Sequence, residues 1–122
     1  MPPVLKFDAS GQLLDSWGAG RMAFPHGFHI DHDGNIWATD ANSQAEVLGL
    51  SARGRGHQVF KFSASGELLL TLGTAGVAGN GPDTFDRPTD VAVAANGDIF
   101  VTDGHGRNNR VVKFSKEGRF IT

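Results

Sequence analysis

The 122-residue sequence predicts an all-β fold made of β-propeller blades, and three observations carry that expectation. Two blocks of sequence recur in fixed order along the chain, so the unit of structure is a repeat. Each repeat holds short runs rich in Val, Ile, Phe and Thr, separated by glycine-containing turn signals, which is the chemistry of strands. No segment sustains a 3.6-residue apolar period, so helices are not expected. Seventeen glycines fit a chain that must turn often through positive φ.

The first block, Val4-Leu5-Lys6-Phe7-Asp8-Ala9-Ser10-Gly11, returns as Val59-Phe60-Lys61-Phe62-Ser63-Ala64-Ser65-Gly66 and again as Val111-Val112-Lys113-Phe114-Ser115-Lys116-Glu117-Gly118. Each copy reads as a strand ending in a turn. Its first copy, with the residues up to Gly18, supplies the last two strands of a blade over residues 1–18. The second block starts at Phe24-Pro25-His26-Gly27-Phe28-His29-Ile30-Asp31 and returns 63 positions later as Arg87-Pro88-Thr89-Asp90-Val91-Ala92-Val93. The same offset lays Gly34-Asn35-Ile36-Trp37-Ala38-Thr39-Asp40 onto Gly97-Asp98-Ile99-Phe100-Val101-Thr102-Asp103. Residues 28–31 and 91–93 are expected as inner strands, Asp33-Gly34 and Asn96-Gly97 as hairpin turns, and residues 36–39 and 99–102 as second strands. Residues 59–62 make a third strand, Ser65-Gly66 turns the chain, and residues 68–72 make a fourth.

Four antiparallel strands of NHL type therefore form a complete blade over residues 19–73. A second blade over residues 74–122 stops as its outer strand starts at Arg119-Phe120-Ile121-Thr122. Propellers close with roughly 4–8 blades, so this is an incomplete ring of about two. Blades bury their faces only by stacking on neighbours. The expected partners are thus the remaining propeller blades or copies of the chain itself, three copies supplying six blades.

Composition narrows the partners further. A net charge of −2 gives no reason to expect nucleic acid or an anionic membrane surface. Without cysteine there are no disulfides and no thiolate zinc sites. No apolar run reaches the ~18 residues of a membrane span. The opening residues lack the pattern of a signal peptide, so a secreted or periplasmic parent would carry its signal on another part. Residues 73–81 are glycine-rich but lack a following Lys-Ser/Thr, so they read as an inter-blade connection and not as a phosphate loop.

Together the Pro-x-Gly/Asp, Asp-Gly-x-Ile-Trp/Phe and Val-x-Lys-Phe patterns resemble NHL repeats. Their order, continued through Leu72-Gly73-Thr74, Phe85, Pro88-Thr89-Asp90, Asp103-Gly104 and Arg110-Val111-Val112-Lys113-Phe114, is similar to that of the peptidyl-α-hydroxyglycine α-amidating lyases over residues 20–122. The resemblance implies two blades of a six-bladed ring. It implies a zinc-dependent carbon–nitrogen lyase that cleaves peptidyl-α-hydroxyglycine to a peptide amide and glyoxylate, a peptide substrate, and no activity for this chain alone. It makes His26 a zinc ligand and gives the backbone carbonyl of Phe28 to a structural calcium. Two further zinc histidines would come from other blades. The family's catalytic tyrosine falls on His105, where this sequence departs from the pattern, and the resemblance thereby makes His105 the acid–base candidate that would take the hydroxyl proton.

The residues themselves allow two readings at each position. His26 begins an inner strand, where strand ends ring the channel mouth and imidazole is a good zinc ligand. A histidine bonded to neighbouring backbone is the alternative. His105 lies on the loop after the second strand and reaches the same mouth by strand counting, or is simply an exposed loop residue. Asp40 and Asp103 read as caps that bond backbone amides, and His29, His32 and His57 as structural. Residues 41–58 exceed the matching loop by eleven residues. Arg53 and Arg55 there, with Arg107 and Arg110, are candidate contacts for a peptide carboxylate. Trp17, Trp37, Phe60, Phe62, Phe85 and Phe114 read as core between blades. Beside the lyase stands a second function, a non-catalytic NHL propeller that presents its loops to a protein or another ligand.

Overall fold

The computed structural model describes residues 1–42 and 54–122, and the described residues contain nine strands and no helix. β1 (Val4–Phe7) and β2 (Leu13–Trp17) form a two-stranded sheet. β3 (Pro25–Ile30), β4 (Ile36–Asp40), β5 (Gln58–Phe62) and β6 (Leu68–Leu72) form a four-stranded blade. β7 (Pro88–Val93), β8 (Ile99–Asp103) and β9 (Arg110–Phe114) form a three-stranded one. Every pairing is antiparallel and joins neighbours in sequence. A fourth strand begins beside β9, where Phe120 bridges Phe114 and the Ile121 amide donates to the Lys113 carbonyl at 2.8 Å.

One turn design closes five hairpins. In each, the fourth turn residue is a glycine at φ between 79° and 90° whose amide donates to the carbonyl three residues back: Gly11, Gly34, Gly66, Gly97 and Gly118. A β-carbon is disfavoured at that φ, so the glycine is required there. The first turn residue usually adds a side-chain acceptor. Asp31 Oδ1 accepts from the amides of Asp33 and Asn35, and Ser63 and Ser115 do the same through Oγ. Ala94 has no such acceptor, and Asn96 instead bonds the Asp98 amide.

The inner strands start at Pro25 and Pro88, three residues before the runs expected from β propensity. A register shift between Pro25 and Phe28, and another between Pro88 and Asp90, accounts for the difference. Each bulge breaks the alternating pattern, yet pairing resumes at Pro25 with Asp40 and at Pro88 with Asp103.

The sheets stack face to face through two apolar clusters. Val4, Trp17, Met22, Ile36, Phe60 and Phe62 pack the two-stranded sheet on the first blade. Trp37, Val59, Phe85, Ile99, Val101, Val112 and Phe114 pack the first blade on the second. All six aromatic residues expected between blades are buried. β4 lies between the two clusters, with Ile36 and Ala38 on one side and Trp37 on the other, so all five of its residues are buried. Each fully buried aliphatic or aromatic side chain contributes about 1.5–3 kcal/mol. Trp37 needs a partner for its indole N–H, and finds it in Asp31 Oδ2 at 2.9 Å. Burial works against the Asp31 charge. The bonds from Trp37, Asn35 and Asp33 outweigh it and hold the carboxyl below its ordinary value.

Candidate functional site

The two inner strands, β3 and β7, lie side by side where the first blade meets the second. Gly27 allows their close approach. A β-carbon on it would sit 2.4 Å from the Thr89 carbonyl oxygen and 2.6 Å from Asp90 Cα. The Gly27 amide donates to Thr39 Oγ1 at 2.7 Å, and that hydroxyl donates on to the Thr89 carbonyl at 3.2 Å. His26 Nδ1 lies 2.9 Å from the same carbonyl. A carbonyl only accepts, so Nδ1 carries the proton and donates, and in the neutral ring Nε2 is the nitrogen with the lone pair.

His105 arrives from the loop between β8 and β9. Its ring centroid stands 5.3 Å from that of His26, with the rings inclined at 54°, and both residues are exposed. Phe24 flanks His26 on another side at 6.3 Å. Strand order explains the meeting: the start of an inner strand is paired with the end of the next strand, so both loops open at one end of the sheets.

The loop that carries His105 is tied down by the three residues that follow it. The Gly106 amide donates to the Asp86 carbonyl at 3.1 Å, and the Arg107 amide to Asp86 Oδ2 at 2.9 Å. A β-carbon at Gly106 would meet the Asp86 carboxyl at 2.3 Å. Asn108 Nδ2 donates to Asp103 Oδ2 and to the Gly79 carbonyl, each at 2.7 Å. Asp86 is buried, which works against its charge, yet the Arg107 amide and guanidinium hold its carboxyl below the usual value.

The remaining predicted positions separate. Arg110 is committed within the second blade: Nε donates to Asp103 Oδ2 at 3.0 Å, and its other nitrogens donate to the carbonyls of Asn80, Gly81 and Thr84. Its role is to fasten the glycine-rich connection. Arg107 also bonds Asp86 through Nε at 3.3 Å, but its side chain is 87% exposed and can reach solvent partners. Arg55 is half-buried near the Met22 carbonyl, and Arg53 lies outside the described residues. Phe28 sits on the inner strand opposite Ala38 and is 56% exposed. Asp40 caps as expected, accepting from the amides of Ala23 at 2.8 Å and Phe24 at 2.6 Å. His32 is exposed.

His57 has a larger structural part than its place in the sequence suggests. It is buried at φ +60°, and its Nδ1 accepts from the Arg87 amide at 3.2 Å, so it links the two blades. Burial pushes its pKa down, against the pull of Asp86 at 4.0 Å. The Thr89 carbonyl and the Asp86 hub were also not singled out by the repeat. The shared Thr39 and Thr102 are the one signal in sequence that could have pointed to the inner-strand contact.

Among the described residues no three His, Cys, Asp or Glu side chains gather at metal-binding distance. A catalytic zinc takes three protein ligands and leaves one position open. The imidazoles of His26 and His105 fit part of such a set, with a lone pair on His26 free for it.

The NHL repeat model matches residues 85–114. A probable peptidyl-α-hydroxyglycine α-amidating lyase of Caenorhabditis elegans is 39% identical over 111 residues, 90% of this chain and 28% of the relative. Peptidyl-α-hydroxyglycine α-amidating lyase 1 of Drosophila melanogaster is 39% identical over 93% of the chain and 19% of its own length. NHL repeat-containing protein 3 of Mus musculus is 33% identical over 96% of the chain and 33% of its own. The chain thus spans no more than about a third of each of these relatives. A solved structure of virginiamycin B lyase from Staphylococcus aureus superposes with a TM-score of 0.62 over 96% of the chain and 32% of that protein, at 14% identity.

Proposed function

This is a chain of NHL-type β-propeller blades similar to the amidating lyases over nine-tenths of its length, and on that premise we propose that it builds one wall of a metal-assisted carbon–nitrogen lyase site. The observation that carries the reading is His26, held through Nδ1 by the Thr89 carbonyl and exposed at the end of the inner strands. A backbone carbonyl behind an imidazole is the usual way of fixing a metal-binding tautomer. Residues from other blades, or from further copies of the chain, would complete the ligand set and the ring. A structural calcium on the Phe28 carbonyl belongs to the same reading.

In such a site the substrate is a peptidyl-α-hydroxyglycine. Its hydroxyl loses a proton, the carbon–oxygen bond becomes a carbonyl, the carbon–nitrogen bond breaks, and the departing nitrogen takes up a proton. The products are a peptide amide and glyoxylate. Zinc supplies Lewis acidity toward the hydroxyl. From this chain, His26 would hold the metal, His105 stands beside His26, and the exposed guanidinium of Arg107 would be available to pair with the substrate carboxylate.

The second reading, a binding scaffold, is favoured by His105, which stands where the family resemblance expects a phenol. The test measures zinc bound by the chain, because other blades must complete the site before turnover can be read. Stoichiometric zinc that is lost in His26→Ala supports the lyase wall. A chain that binds no zinc favours the scaffold, which has no need of a metal.

A further inference from the structure

We propose that His105 is a second metal ligand, forming with His26 a two-imidazole chelate within this single chain. The proposal rests on the metal reading above and changes the part His105 plays in it, from proton transfer to metal binding. The argument is geometric. Zinc binds an imidazole nitrogen at about 2.0–2.1 Å, which places the ring centre roughly 3.2 Å from the metal. Two rings bound at the tetrahedral angle then have centres about 5.2 Å apart. His26 and His105 stand 5.3 Å apart by the same measure, inclined at 54°.

Three further features suit a chelate. The His26 tautomer is fixed by the Thr89 carbonyl, so its free nitrogen is the one not facing the backbone. That carbonyl is braced by Thr39 and by the close packing at Gly27. The neighbouring loop residues Gly106, Arg107 and Asn108 are each bonded to the body of the second blade, so His105 is displayed from an anchored loop. The two histidines come from different blades, and a metal between them would also clamp those blades together. Two ligands leave positions for water, substrate or residues of other blades.

The test is a zinc titration of the whole chain by calorimetry at neutral pH, with histidine ring C–H signals followed by NMR. One zinc per chain is expected, with the ring signals of both His26 and His105 shifting together. His105→Ala and His105→Phe, the latter keeping a ring without nitrogen, are each expected to weaken binding by at least roughly tenfold, as is His26→Ala. His32→Ala serves as an exposed control and is expected to bind as the parent does. Circular dichroism confirms that each variant is folded. Unchanged affinity in both His105 variants, with loss in His26→Ala, overturns the chelate and leaves the metal reading standing. Zinc binding indifferent to His26→Ala overturns both.

Discussion

The same carboxylate is satisfied in two ways in the two blades. Asp40 ends β4 and Asp103 ends β8, at matching positions, and both are fully buried. Asp40 accepts from two backbone amides, those of Ala23 and Phe24. Asp103 accepts one backbone amide, that of Asp86 at 2.8 Å, and fills its other oxygen with the side chains of Asn108 and Arg110. Asn108 comes from the short connection after β8, and Arg110 opens β9 directly opposite Asp103, where the first blade sets Gln58 opposite Asp40. The lesson is that the two blades share a backbone plan but, among the described residues, place their dependence on different partners: backbone amides, which only proline removes, in one, and replaceable side chains in the other.

Removing Arg110 should break the second arrangement most severely. Arg110→Ala leaves Asp103 buried without its cation and frees three carbonyls of the connection, with an expected loss of about 3 kcal/mol in urea unfolding. Arg110→Ala combined with Asp103→Asn should recover part of that loss. A loss below about 1 kcal/mol for the single variant would mean that the Asp86 amide and Asn108 suffice for Asp103.

The next difference is His57, whose counterpart in the second blade is Asn109. The folded pKa of His57 is lowered by burial from its ordinary 6.5. The unfolded chain therefore takes up a proton below about pH 6.5 that the folded chain resists, and stability falls as the pH drops from there. Asp86 and Asp31 are also lowered, but from 3.8, so their contribution is lost only at stronger acidity. His57→Asn should flatten the slope of unfolding free energy between pH 7 and pH 5. An unchanged slope would remove His57 as its source.

The smallest effect concerns the turns. Ala94 stands where Asp31 caps the equivalent hairpin of the first blade. Ala94→Asp should supply the missing acceptor to the amides of Asn96 and Asp98 and stabilise by about 0.5 kcal/mol in the same unfolding experiment. No gain would show that the bond from Asn96 already does this work.

Much of the architecture was legible because it is periodic. The repeat offset located both blades, and the glycines located the turns, since their φ is a local demand. Strand order put His26 and His105 at one end of the sheets, and the structure brings their rings to 5.3 Å. What could not be read is what neighbouring sheets do to each other. The three-residue extension of β3 and β7 depends on bulges that alternation hides. Arg110 looked available from sequence because nothing local shows that carbonyls of residues 80–84 fold back onto it. His57 looked like an ordinary residue before a strand, and its burial comes from the second blade, thirty residues away.

The strict pairing of each strand with its sequence neighbour has a kinetic consequence. Hairpins with four-residue turns close short loops, and short loops close fast and at little entropic cost. Each blade can therefore zip by successive local steps, without waiting for a distant strand. The slow events fall to the two places where the path between paired or packed strands is long: the β4–β5 connection, and the docking of β3 on β7 through Gly27. A refolding experiment on this chain should show its sheets forming early and the inter-blade burial of Trp37 arriving last.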